Sequence, residues 1–542
     1  MRLANRAAYV PPQCFTQTRG ANGEPAANPC FVCHTRPESP NFTDDADLQL
    51  RLSLPPLLAK NPWTNLFDPP VLHTPRASDA EVTAYVRRSN YFDANGSVAL
   101  AATLASPPPA WDANHNGKWD GFTPDVSFAF DDRGFDHRPD GSLSGWRAFA
   151  YFPFPGTFFP TNGAADDVAI RLDPAFREAK DGRPDAHVYE VNLAIVEALI
   201  ARADVAIDPV DEKALGVDLD RDGRLATASR VAFDAASDAS GKTRMRYVGR
   251  AHDEERAFPI APGFFPTGTE FFHTVRYLDT APDGTVTMAP RMKEVRYAKK
   301  TRWSSYAVAQ ANAIRDAREQ DEAADGTHEV RFQGELGIYN SSGWLLQGFI
   351  EAADGNLRPQ SFEESASCEG CHGGLGVTTD STFSFARKMT TGPARGWFHW
   401  SQRDLRGIPE PKRADGEYEY TFYLREARAG DELRGNTEVL ARFFDAQHAL
   451  RPSEVERLHG DISTLLLPSA ARALDLDRAT MAIVATQSFD KGRDPILAPA
   501  THAYERVSIG DSTGITTAVV AAPLLRANRG AADPQLVSTI RK

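Results

Sequence analysis

Hydrophobic and polar positions divide the chain into three stretches. In residues 1–105, Asp44 to Leu54 and Ser78 to Arg88 read as short helices, with Ser78 and Asp79 as N-caps for the second. Pro107-Pro108-Pro109 marks a boundary. Residues 106–300 read mostly as strand. An aromatic run there takes in Phe128, Trp146, Phe149, Tyr151, Phe152, Phe154, Phe158 and Phe159. Asp-Gly pairs at 140–141, 283–284 and 354–355 carry the turn chemistry of tight hairpins, and Phe271–Asp279 and Val286–Tyr297 flank the second. One helix interrupts, Asp185 to Ala201, with Val188, Val191, Ile195 and Leu199 on one face. From 301 to 542 helices dominate, at Ser304–Arg318, 431–446, 452–465 and 468–485. Val330–Ile350 returns to strand spacing, turning at Asn340-Ser-Ser-Gly343. The expected fold is α+β and multidomain: two mainly helical regions, 1–105 and 301–542, around a strand-rich middle domain at 106–300.

Charge changes this picture little. A net charge of −13 argues against nucleic acid and anionic lipid as partners and favours a basic partner protein. No apolar run reaches the ~18 residues of a membrane-spanning helix. The opening Met1-Arg-Leu-Ala-Asn-Arg-Ala-Ala has no apolar centre of a secretory signal, and Cys14, after Pro11-Pro12-Gln13, does not look like a lipid-attachment site.

Cysteine changes it most. Four of the five cysteines lie in Cys30-Phe-Val-Cys33-His34 and Cys368-Glu-Gly-Cys371-His372. Two copies of Cys-x-x-Cys-His form the attachment signature of c-type haem. Zinc does not demand a histidine after each second cysteine, and a thioredoxin-like pair explains neither the duplication nor the histidines. On these two motifs the chain resembles the di-haem c-type cytochromes. The resemblance implies two covalently bound haem c groups, His34 and His372 as proximal iron ligands, a periplasmic or extracellular location and a redox function. Two readings of that function stay open. One is an oxidoreductase turning over a small substrate, such as peroxide or a sulfur compound, at one haem. The other is a pure electron carrier or module of a larger redox complex.

The candidates for the distal iron ligand are His273, Met389, His399 and Cys14. His273 shares a strand face with Phe271, Val275 and Tyr277, where a packed core histidine is the plainer reading. Met389 and His399 follow the second motif, and Cys14 precedes the first. Two loops follow the calcium pattern of oxygen ligands at alternate positions and glycine at the sixth. One holds Asp112, Asn114, Asn116 and Asp120; the other holds Asp218, Asp220, Asp222 and the carbonyl of Arg224. Thr123 and Ser229 stand where the bidentate glutamate belongs, so plain Asx-rich turns are the alternative.

Overall fold

The computed structural model describes residues 3–17, 29–156, 158–234, 243–322, 330–390, 393–428 and 433–520. The Asp-Gly pairs set the strand order. Each of the three lies between strands joined directly: β1 (Phe135–His137) to β2 (Leu143–Ala148), β6 (Glu270–Thr280) to β7 (Val286–Lys300), and β10 (Trp344–Glu351) to β11 (Leu357–Pro359). Only the glycine of each pair has positive φ. Two-residue type I′ turns need positive φ at both central residues, so these are type I turns closed by a left-handed glycine. Asp140, Asp283 and Asp354 each accept the backbone N–H two residues on.

The remaining strands are β3 (Ala165–Arg171), β4 (Val205–Asp211), β5 (Thr227–Val231), β8 (Arg331–Phe332) and β9 (Ile338–Tyr339). Nine strands form an antiparallel sheet in the order β1-β2-β3-β6-β7-β10-β9-β8, with β11 beside β10, and β4-β5 stands apart. Strand alternation divides the core. Ile170, Phe271, Trp344 and Leu346 pack with the helix Ala186–Ala201 on one face, while Ala169, Phe272, Val295 and Phe349 pack with Tyr91, Leu100 and Val126 on the other. Asp185 caps that helix, accepting from His187 and Val188 N–H.

The β6–β7 ribbon is irregular. Its register slips between Val275 and Arg276 and again before Leu278, leaving extra residues in β7 around Pro290. Proline cannot donate to a ladder and is tolerated in a sheet at such bulges. The expected α+β class is borne out, with helices Asp79–Arg87, Tyr306–Glu322, Pro452–Gly460 and Ala470–Thr486 near their expected places. The helix expected over Asp44–Leu54 is a single 3-10 turn, Ala46–Gln49. Leu50, Leu52 and Leu54 alternate with polar residues, and that stretch runs extended along residues 510–513.

Candidate functional site

The bulge in β7 opens a cavity of about 600 Å³. Met288, Ala289, Pro290 and Met292 form one wall, Phe92, Phe128 and Phe158 a second, and the segment His399–Leu405 a third. Cavities that hold small molecules run from ~300 to ~1,000 Å³, mostly apolar with a few convergent polar groups. Asp166, Arg276, His399 and Ser401 are the convergent groups here.

Adjacent aspartates in β3 point to opposite sheet faces. Asp167 is buried and accepts from Thr274 N–H at 2.9 Å, Thr274 Oγ1 at 2.8 Å and His399 Nε2 at 2.9 Å. Arg276 Nε reaches the same carboxylate at 3.3 Å. Burial alone would raise the pKa of Asp167, but Arg276 and the His399 and Thr274 hydrogen bonds outweigh it and hold the carboxyl well below its ordinary range. Asp166 shows the reverse. Burial dominates and raises its pKa, despite the neighbouring His273 ring at 3.2 Å. Tyr151 donates to it as well.

Arg276 is 6% exposed, with its guanidinium 4.5 Å above the Phe128 ring. Its Nε donates to Thr274 Oγ1 and its Nη1 to the Pro290 carbonyl, whereas its buried Nη2 has no hydrogen-bond partner. An unmet buried donor costs about 1–3 kcal/mol, more when charged, so its presence beside a cavity calls for an acceptor. His399 is stacked on Phe130 at 4.8 Å. Its Nδ1 lies 2.7 Å from Ser401 Oγ and 3.1 Å from Ser401 N.

The two cysteine motifs lie side by side. Val377 N–H donates to the Cys33 carbonyl, and Asn41 Nδ2 donates to the Leu375 carbonyl. Cys14, Cys30, Cys33 and Cys371 are near enough for their thiolate charges to disfavour one another. Burial, first among the causes, pushes Cys30 and Cys371 up to about 11 and raises Cys14, Cys33 and Cys368 as well, so the thiols stay protonated at neutral pH. All five are free.

Each motif histidine is oriented through Nδ1. His34 bonds Asp45 at 2.8 Å and His372 bonds the Ser381 carbonyl at 3.0 Å. His372 is pushed down to about 4, by burial and then by Arg296 and His273. His273 therefore stands beside the second motif, edge-on to Phe158. Met389 is buried in the core that holds Phe31 and Val32 of the first motif. His399 belongs to the cavity network instead.

The two calcium-type loops differ. In the first, Asn114 Nδ2 and Asn116 Nδ2 both donate to Asp120, Asp112 accepts from Asn116 and Gly117 N–H, and Glu335 accepts from Ala113 and Asp120 N–H. In the second, Glu212, Asp218 and Asp220 offer ligand atoms within 4.8 Å of one another. Asp218 Oδ1 is buried without a partner there, while Asp222 accepts from Arg224 N–H. Glu212, upstream of the loop, accepts from the Leu219, Asp220 and Ala226 N–H groups, so folding brings its carboxylate beside Asp218 and Asp220.

Asp167, Arg276 and Ser401 escaped the sequence reading. Two signals pointed to them: paired aspartates inside the apolar strand Ala165–Arg171, and a proline inside the long strand Val286–Lys300.

Residues 1–456 match a family model described as "-like lipoprotein". An "Uncharacterized lipoprotein" of Aquifex aeolicus (strain VF5) is 31% identical over 559 residues, covering 93% of this chain and 89% of its own length. No solved structure matches the chain. Both matches are lipoproteins, and nothing in either indicates a cytochrome c. The resemblance to di-haem c-type cytochromes is thereby corrected, and the electron-carrier and haem oxidoreductase readings fall with it. The motifs pack as one cysteine cluster rather than as two separate centres. Lipoprotein families are exported, in agreement with the expected location outside the cytoplasm. Among the described residues no helix is long and apolar enough to cross a membrane.

Proposed function

The chain belongs to this lipoprotein family, and from that premise we propose that it is a lipid-anchored periplasmic or extracellular protein that binds a small, largely apolar molecule carrying a carbonyl or anionic head. Arg276, a cavity-lining residue whose buried Nη2 lacks a hydrogen-bond partner, carries this reading. The apolar body sits among Phe92, Phe128, Phe158, Met288 and Met292, and the head accepts from Arg276. Anilinonaphthalene sulfonate, an aromatic anion, is the probe. Its fluorescence should rise saturably with the folded protein. Met288→Trp, which pushes a larger ring into the cavity, should weaken the signal. Arg276→Met, which keeps the stem and removes the donors, should weaken binding about 10-fold or more, as expected for a hydrogen bond to a charged group. Equal affinity in Arg276→Met would refute the assignment of the head.

We also propose that the second acidic loop holds a calcium ion on Glu212, Asp218 and Asp220. The observation favouring it is the unpartnered Asp218 Oδ1 within that group. Calcium at 100 times its Kd should stabilise the fold by about 2.7 kcal/mol. Chelation should lower the melting temperature of the native protein and leave that of Asp218→Asn unchanged. Identical melting of the native protein with and without chelator would remove the ion.

A further inference from the structure

We infer that the cavity is an esterase site, with Ser401 as nucleophile, His399 as general base and Asp167 as the group that orients the base. The inference rests on the binding reading above and adds a reaction to it.

The imidazole has a defined tautomer. The Ser401 backbone N–H can only donate, and it lies 3.1 Å from His399 Nδ1. Nδ1 therefore carries a lone pair, and the proton resides on Nε2, which donates to Asp167. Ser401 Oγ lies 2.7 Å from that same Nδ1, so its hydroxyl shares the single lone pair with the backbone N–H and is the nearer of the two donors. This is the order serine, imidazole, buried carboxylate, with the two ring nitrogens exchanged relative to the usual triad. Such a site is recognised by geometry and roles rather than by chain position.

The surroundings suit the roles. Phe128 edge-on and Phe130 stacked hold the ring plane. Asp167, kept ionised by Arg276, faces the positive charge that His399 acquires. His399 is 4% exposed, whereas Ser401 is exposed on the cavity-lining segment where a substrate arrives. Arg276 meets His399 on one carboxylate oxygen, and its buried Nη2 has no hydrogen-bond partner.

The substrate class is an ester of an apolar acid or alcohol. Ser401 Oγ bonds to the ester carbon as its proton passes to His399 Nδ1. The bond from that carbon to the alcohol oxygen breaks, and the Nδ1 proton leaves with the alcohol. Water then attacks the acyl-serine, giving one proton to Nδ1, which returns it to Ser401 Oγ as the acid departs. The net change is ester plus water to acid plus alcohol, with no redox step.

The test uses p-nitrophenyl butyrate and a fluorophosphonate on the intact chain, with anilinonaphthalene sulfonate binding measured alongside. Peptide mapping should place the fluorophosphonate adduct on Ser401. Ser401→Ala should lose the adduct, and both Ser401→Ala and His399→Gln should lower hydrolysis about 10²-fold or more. Ser401→Ala should keep the circular dichroism and melting temperature of the native protein, which shows that it folds. Sulfonate binding by the native protein with no adduct, or with an adduct elsewhere, overturns the esterase and leaves the binding site standing. Neither binding nor adduct overturns both.

Discussion

Contacts across hundreds of positions decide which side chains matter here. His399 and Asp167 are 232 positions apart and meet at 2.9 Å. A histidine between Phe398 and Trp400 announces burial, not its partner, so its role was illegible until the β3–β6 pairing brought Asp167 beneath it. His372 permits a direct measurement. Its folded pKa is about 4, lowered by burial and then by Arg296 and His273, against ~6.5 for an unfolded imidazole. Between these values the unfolded chain holds a proton that the folded chain refuses. Unfolding there takes up a proton, so stability falls as pH drops below ~6.5 and the loss is complete near the folded pKa. The loss is at most about 3 kcal/mol, reduced by the ring's partial contact with solvent. Urea unfolding between pH 7 and pH 5 should show this slope in the native protein and a shallower one in His372→Gln. Equal slopes would mean the ring titrates normally.

Elements were more legible than sites, because local chemistry dictates them. All three Asp-Gly pairs turned hairpins, and Ser78 closes a capping box with Glu81. The helix expected from Asp44 failed for a local reason too. Leu50, Leu52 and Leu54 have the period of a strand, which the charged run before them obscured. The bulge in β7 was partly written in Pro290, but its size depends on pairing with β6, and so did the cavity it opens. Cys-x-x-Cys-His misled most. A short motif reports which atoms are available, whereas function belongs to the site that the fold builds around them.

At the scale of the whole molecule, residues 3–17 and 29–66 are completed by residues 489–513. Thr16 bridges to Ala503, Lys60 to Arg506 and Arg51 to Ser512. Phe15, Leu58, Trp63 and Leu66 share a core with Ile496, Ala503 and Val507, and Cys14 packs against it. A chain ending at residue 488 should therefore expose Cys14 to a thiol reagent that scarcely touches it in the intact protein. Equal labelling of Cys14 in the two chains would show that the early segment folds alone. The same closure sets a clock. At ~5–20 residues made per second, the segment around Cys14 waits on the order of tens of seconds before the covering segment exists. An exported protein meets an oxidising compartment, so Cys14, made hundreds of positions before its cover, is among the last of the chain's thiols to be sheltered.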